Sequence, residues 1–187
     1  LIWGYLKRYL EPVSIKKINI KQHFKGIMVL FVPTIAVSIY RAFDKTMIGI
    51  FTNSSSENGY YEQADRIVQM CITVPTALST VMAPRIASNM AKKNIDMVNE
   101  YMCKTYEALL LIAMPLGIGI FCTSNMIVPW FLGEQYYKVI TLLKIFSIII
   151  PIIALSNASG AQYLIQAREE KVYTKSVCLG AIVNFGL

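Results

Sequence analysis

One histidine stands among 187 residues, the four cysteines lie far apart, and charged residues make up only 16% of the chain. Soluble domains carry about 25% charged residues, so this shortage argues against a surface that faces water on all sides. Cys71, Cys103, Cys122 and Cys178 form no paired motif and read as reduced packing residues. His23 lies beside a basic segment and reads as interfacial or solvated rather than catalytic or metal-binding. A Gly-rich phosphate loop, a Cys/His cluster and a nucleophile-base pair are all missing. The sequence therefore predicts no metal site, no cofactor and no enzyme activity.

Apolar sequence is what the chain has in abundance: 55% of residues are hydrophobic and the mean hydropathy is +0.49. Crossing the hydrocarbon core takes ~20 residues of helix, and four runs are long enough, within residues 26–51, 60–83, 108–132 and 139–163. A fifth run, 172–187, stops at the end of the chain. The predicted fold class is all-α, a polytopic helical membrane protein. The chain opens on Leu1 rather than Met, and residues 1–5 read as the tail of an earlier helix, so an internal fragment is expected. On this reading residues 1–25 are a helix end followed by a basic linker, and residues 26–187 carry the spans.

The net charge of +7 is not spread in a way that suits nucleic acid. Its cations gather between the apolar runs, as the bias of Lys and Arg toward cytoplasmic loops requires. Lys7, Arg8, Lys16, Lys17, Lys21 and Lys25 face one acid, Glu11, and place the linker in the cytoplasm. The loop 52–59 has Glu57 and no cation, which places it outside. Arg85, Lys92, Lys93 and Lys104 are then inside, the turn 133–138 outside, and Arg168, Lys171 and Lys175 inside again. Trp3, Tyr9, Tyr101 and Tyr106 suit an inner aromatic belt, and Trp130, Phe131, Tyr136 and Tyr137 an outer one. The linker is open to two readings, a solvated connection or an element lying on anionic lipid. Residues 87–106, of mixed charge, read as a cytoplasmic helical connection. Pro33, Pro75, Pro115 and Pro151 fall one in each span. They suit the bending that alternating access needs, and equally the general tolerance of membrane helices for proline.

Polar residues recur on one face of the first two spans. Thr34, Ser38, Arg41 and Lys45 are spaced by four, three and four; Glu62, Asp65 or Arg66, Gln69, Thr73, Thr76 and Thr80 follow the same period. An ionisable group near the bilayer centre costs roughly 2.5 to 3.5 kcal/mol on insertion scales, so such faces turn toward a bundle interior or a watery cavity. Antiparallel pairing across the short loop predicts Lys45 level with Glu62, Arg41 with Asp65 and Asp44 with Arg66. Two readings follow. The charges neutralise one another and join two helices. Alternatively Arg41, Lys45 and Arg66, with Lys144 from the fourth span, attract an anionic group, since phosphate recognition favours Arg and Lys. Asp44, Glu62 and Asp65 would then pair with them or bind a coupling proton or sodium ion. Lys144 has its own alternative, snorkelling outward.

The segment from Asp44 onward reads DKTMIGIFTNSSSENGYYEQADRI. With Asp44, Lys45, Met47 and Gly49, then Gly59, Tyr60, Tyr61, Glu62 and Ala64, it resembles the polysaccharide flippases of the multidrug/oligosaccharidyl-lipid/polysaccharide exporter superfamily. Pro84-Arg85 and the run Phe131 to Glu134 extend the similarity. The resemblance implies about fourteen helices in two lobes with substrate bound between repeats, residues 26–187 opening the second lobe. It also implies a bacterial plasma-membrane location, and a lipid-linked oligosaccharide on a polyprenyl diphosphate as partner, beside the membrane lipids. The expected function is flipping of that substrate for surface polysaccharide assembly. A drug or small-molecule exporter of the same superfamily would favour acidic and aromatic pocket residues over cations. A membrane enzyme of polysaccharide assembly would need larger outside loops than these.

Overall fold

The computed structural model describes residues 20–186, and the interlobe linker expected up to residue 25 lies largely outside them, as do Trp3 and Tyr9. Among the described residues all regular structure is helical. The order is α1 (Ile20–Thr52), α2 (Ser55–Ala91), α3 (Ile95–Phe131), a 3-10 turn (Glu134–Tyr136), α4 (Tyr137–Asn157), a π-helical segment (Ala158–Leu164) and α5 (Glu170–Gly186). Among the described residues three helical stretches, Ser55–Ala91, Ile95–Phe131 and Glu134–Leu164, are long and apolar enough to cross a membrane. The chain is an all-α polytopic membrane protein.

Helix length and span length differ here. At 37 residues each, α2 and α3 reach about 55 Å, well beyond a hydrocarbon core of about 30 Å. The helical connection expected over 87–106 is the continuation of both helices, broken only by a tight turn. Lys93 takes a left-handed φ of 57° there, and Asn94 caps α3 by accepting from the Met97 amide at 3.3 Å. Polar sequence stays helical on both sides of the turn because one face still packs. Ile86 of α2 is buried against Val98 and Met102 of α3. At the other end Gly133, with φ 98°, stops α3 and starts the 3-10 turn.

The core is a three-helix unit. Ala64, Val68 and Ile72 of α2 meet Ala113 and Val128 of α3 and Val139, Leu143, Ile150 and Ala154 of α4. Pairing is most extensive between α3 and α4, whereas α1 rests mainly on α5, with Phe43 and Phe185 stacked at 4.3 Å. The α3–α4 crossing has a specific cause. Pro151 has no N–H to give the Ser147 carbonyl one turn earlier, and that oxygen is 2.8 Å from where a Cβ on Gly117 would sit. Only glycine admits so close an approach, the small-residue packing by which membrane helices associate. Large apolar side chains such as Ile118, Trp130, Ile148 and Ile152 cover the outer faces and are exposed.

Candidate functional site

Two cavities open along the seam where α2 meets α4 and its π-helical extension. The first, of about 290 Å³, lies toward the α1–α2 loop. Tyr40, Arg41, Asp44 and Lys45 line it from α1, and Tyr61, Asp65, Val68 and Gln69 from α2. Phe146, Ile149 and Ile153 of α4 close its apolar side. These charges belong to the body of the helix, because α1 continues to Thr52, seven residues past Lys45 and eleven past Arg41.

The pairing within this cavity is partial. Lys45 meets Glu62 at 3.7 Å, as the antiparallel register predicts. Glu62 also takes Arg66 at 3.0 Å, one turn along the same helix. Asp44 therefore does not receive Arg66, the pairing expected from the sequence. Arg41 and Asp65 face one cavity without an ion pair; Asp65 instead accepts from Gln69 at 3.3 Å. Among the described residues neither Arg41 nor Asp44 has an ion-pair partner within 4.0 Å. Asp44, Glu62 and Asp65 form no three-ligand metal cluster with other such side chains among the described residues.

Two of the four expected cations lie elsewhere. Arg66 is exposed, 61% at its side chain, and does not line the cavity. The physical reason is the helical turn: residues 61, 65 and 69 carry the seam, and position 66 lies about 100° round from 65. Lys144 misses the cavity too. Phe146, Ile149 and Ile153 point α4 at it, whereas Lys144 precedes Ser147 and Pro151 on the side that meets Gly117 of α3.

Aromatic residues complete the site. Tyr61 packs edge-on to Phe146 with ring centres 5.4 Å apart, and Tyr60 packs edge-on to Tyr136 at 5.8 Å. Lys138 pairs with Glu57 and stands over the Tyr60 ring. Together they tie the start of α2 to the start of α4 and hold the mouth of the seam. Charge count alone had placed Glu57 in the outside loop; a partner 81 residues away left no local signal.

The second cavity, about 420 Å³, lies further along the seam toward the α2–α3 turn. Thr76, Ser79, Thr80, Ala83 and Pro84 of α2 face Asn157, Ala161, Gln162 and Gln166. Among the described residues no charged side chain lines it. The polar face of α2 thus continues from Asp65 and Gln69 through Thr76 and Thr80, whereas Thr73 turns away and is exposed.

A family model described as polysaccharide biosynthesis protein matches residues 1–141. The chain belongs to that family. The matched residues include α1, α2, α3 and the first turn of α4, so the charged cavity is built mostly from the matched part. Residues 157–166 of the uncharged cavity lie beyond it. No curated protein and no solved structure matches the chain.

Proposed function

We propose that this member of the polysaccharide biosynthesis family is a flippase, which moves lipid-linked oligosaccharide across a bacterial plasma membrane by alternating access. It performs no covalent chemistry. The observation that carries the reading is Arg41, a guanidinium without an ion-pair partner among the described residues, facing a cavity between helices beside Lys45. A charge kept in such a place at this cost needs a use, and a diphosphate matches the donor geometry of Arg and the point charge of Lys. Tyr40, Tyr61 and Gln69 add hydrogen-bonding groups around the anion. Asp44 and Asp65 face the same space and supply the place for a coupling proton or sodium ion. Arg66 and Lys144, which the sequence grouped with the lumen cations, have no direct part in this reading.

The charge balance of the cavity keeps one alternative in play. Two carboxylates and two tyrosines are also what a cation exporter of the same superfamily would use. Complementation separates the two. In a strain lacking its polysaccharide flippase, the wild-type protein restores surface polysaccharide, Arg41→Ala at equal membrane abundance does not, and Arg41→Lys restores part of it. Full function of Arg41→Ala would sink the anion reading, and failure of the wild type alongside drug resistance would favour the exporter.

A further inference from the structure

The second cavity has a chemical bias that the first lacks. Its polar groups are neutral amides and hydroxyls, and two of its buried oxygens lack partners. Gln162, 1% exposed, gives its Nε2 to Thr105 at 3.2 Å and leaves Oε1 without a partner. Ser79, 8% exposed, has an unpartnered Oγ. Thr76 and Thr80 donate their hydroxyl protons to carbonyls one turn back, at 2.9 and 3.0 Å, so lone pairs are what they retain. Pro84 has no N–H for the Thr80 carbonyl.

Backbone geometry places these acceptors together. The segment Ala158–Leu164 is π-helical, and the Ile165 amide reaches back five residues to the Gly160 carbonyl at 3.1 Å. Such wide turns recur at functional sites. Tyr173 packs against Gly160 so closely that a Cβ there would lie 2.8 Å from the ring, which holds the turn in place from behind.

Buried acceptors without donors carry a cost that a ligand can recover. A bare cation would be attracted to these oxygens, but no carboxylate lines the cavity to balance its charge. Neutral hydroxyls fit better, since each supplies a donor and leaves no net charge. We propose that this cavity binds sugar hydroxyls, with Gln162 Oε1 as an acceptor and the Ser79 hydroxyl as acceptor or donor. The assignment rests on the flippase reading, in which a glycan travels the same seam whose other cavity takes the anion.

The test uses the protein in lipid nanodiscs and three probes. Saccharide binding is followed by saturation-transfer NMR with maltose and chitobiose, sodium by its NMR linewidth, and inorganic pyrophosphate by calorimetry. Expected is saccharide binding that weakens roughly tenfold in Gln162→Leu and less in Ser79→Ala, with pyrophosphate binding unchanged in both. Gln162→Met and a thermal unfolding check separate lost binding from lost fold. Saccharide binding that survives in folded Gln162→Leu and Gln162→Met, or is absent from the wild type, overturns the assignment. Sodium broadening that Gln162→Leu abolishes, without saccharide binding, overturns it in favour of a cation site. Loss of saccharide binding in Gln162→Leu, with pyrophosphate binding indifferent to Arg41→Ala, keeps the sugar site and rejects the anion reading instead.

Discussion

The two cavities share a wall and differ in kind. Both open along α2 against α4 or its π-helical extension, yet one gathers Arg41, Asp44, Lys45 and Asp65 while the other holds only amides and hydroxyls. The difference follows from which helix completes each. At the charged end α1 brings its own ionisable residues to the seam. Toward the α2–α3 turn the π-helical segment takes over and presents Ala161 and Gln162 to the cavity. A single polar face on α2 thus acquires two chemistries from two partners. On the flippase proposal, a substrate with an anionic end and a polyol end would meet both.

That comparison can be broken most severely at the point that holds both cavities up. Gly117→Val would drive side-chain atoms into the Ser147 carbonyl, 2.8 Å from the Cβ position. Backbone cannot yield as a side-chain tip does, so the α3–α4 crossing should open at a cost of about 2 to 3 kcal/mol. The expected result is a large fall in thermal midpoint and loss of both pyrophosphate and saccharide binding. An unchanged midpoint would mean that α4 is not held by this crossing.

Gly160→Ala is expected to be milder and one-sided. The new methyl meets the Tyr173 ring at 2.8 Å, and a ring can swing at a cost of about 1 kcal/mol. Saccharide binding should weaken and pyrophosphate binding should not. Equal loss of both would show that the two ends of the seam move as one body.

The smallest effect sharpens the charged end alone. Glu62 draws Lys45 at 3.7 Å and Arg66 at 3.0 Å, and all three side chains are more than 40% exposed. Glu62→Gln removes the competitor for Lys45 and should tighten pyrophosphate a few-fold, within the range of at most about 1 kcal/mol that exposed pairs command. The gain should fade at high salt. Weaker binding would assign Glu62 a positioning role at the site.

Particular residues show what could be read in advance. The resemblance built on Asp44 to Ala64 and on Pro84-Arg85 led to polysaccharide assembly, the family to which the chain belongs. The pairing of Lys45 with Glu62 was legible because a short loop between antiparallel helices sets the register. Its neighbour was not: Arg66 stays with Glu62 because an i to i+4 contact forms without help from another helix. Helix ends reach past the apolar runs. An apolar run measures the bilayer, while the helix itself continues as long as hydrogen bonds and one packed face support it, as at Ile86, Val98 and Met102. The uncharged cavity had half a signal, the period of Thr76 and Thr80. The other half, Gln162, stands with Asn157 and Gln166 at the end of the fourth apolar run, where the sequence alone does not set which helix they face.

By itself the sequence determined the solvent this chain belongs in, its helical class, its family resemblance and which helices carry polar faces, because composition and 3.6-residue periodicity are local properties. Tertiary structure alone decided which polar groups line a cavity: Asp65 but not Arg66, and Ser79 with Gln162 across 83 residues of chain. The reason is physical. A helix sets the direction of each side chain about its own axis, but the rotation of one helix against another depends on contacts such as Gly117 against the Ser147 carbonyl, which involve residues far apart in the chain.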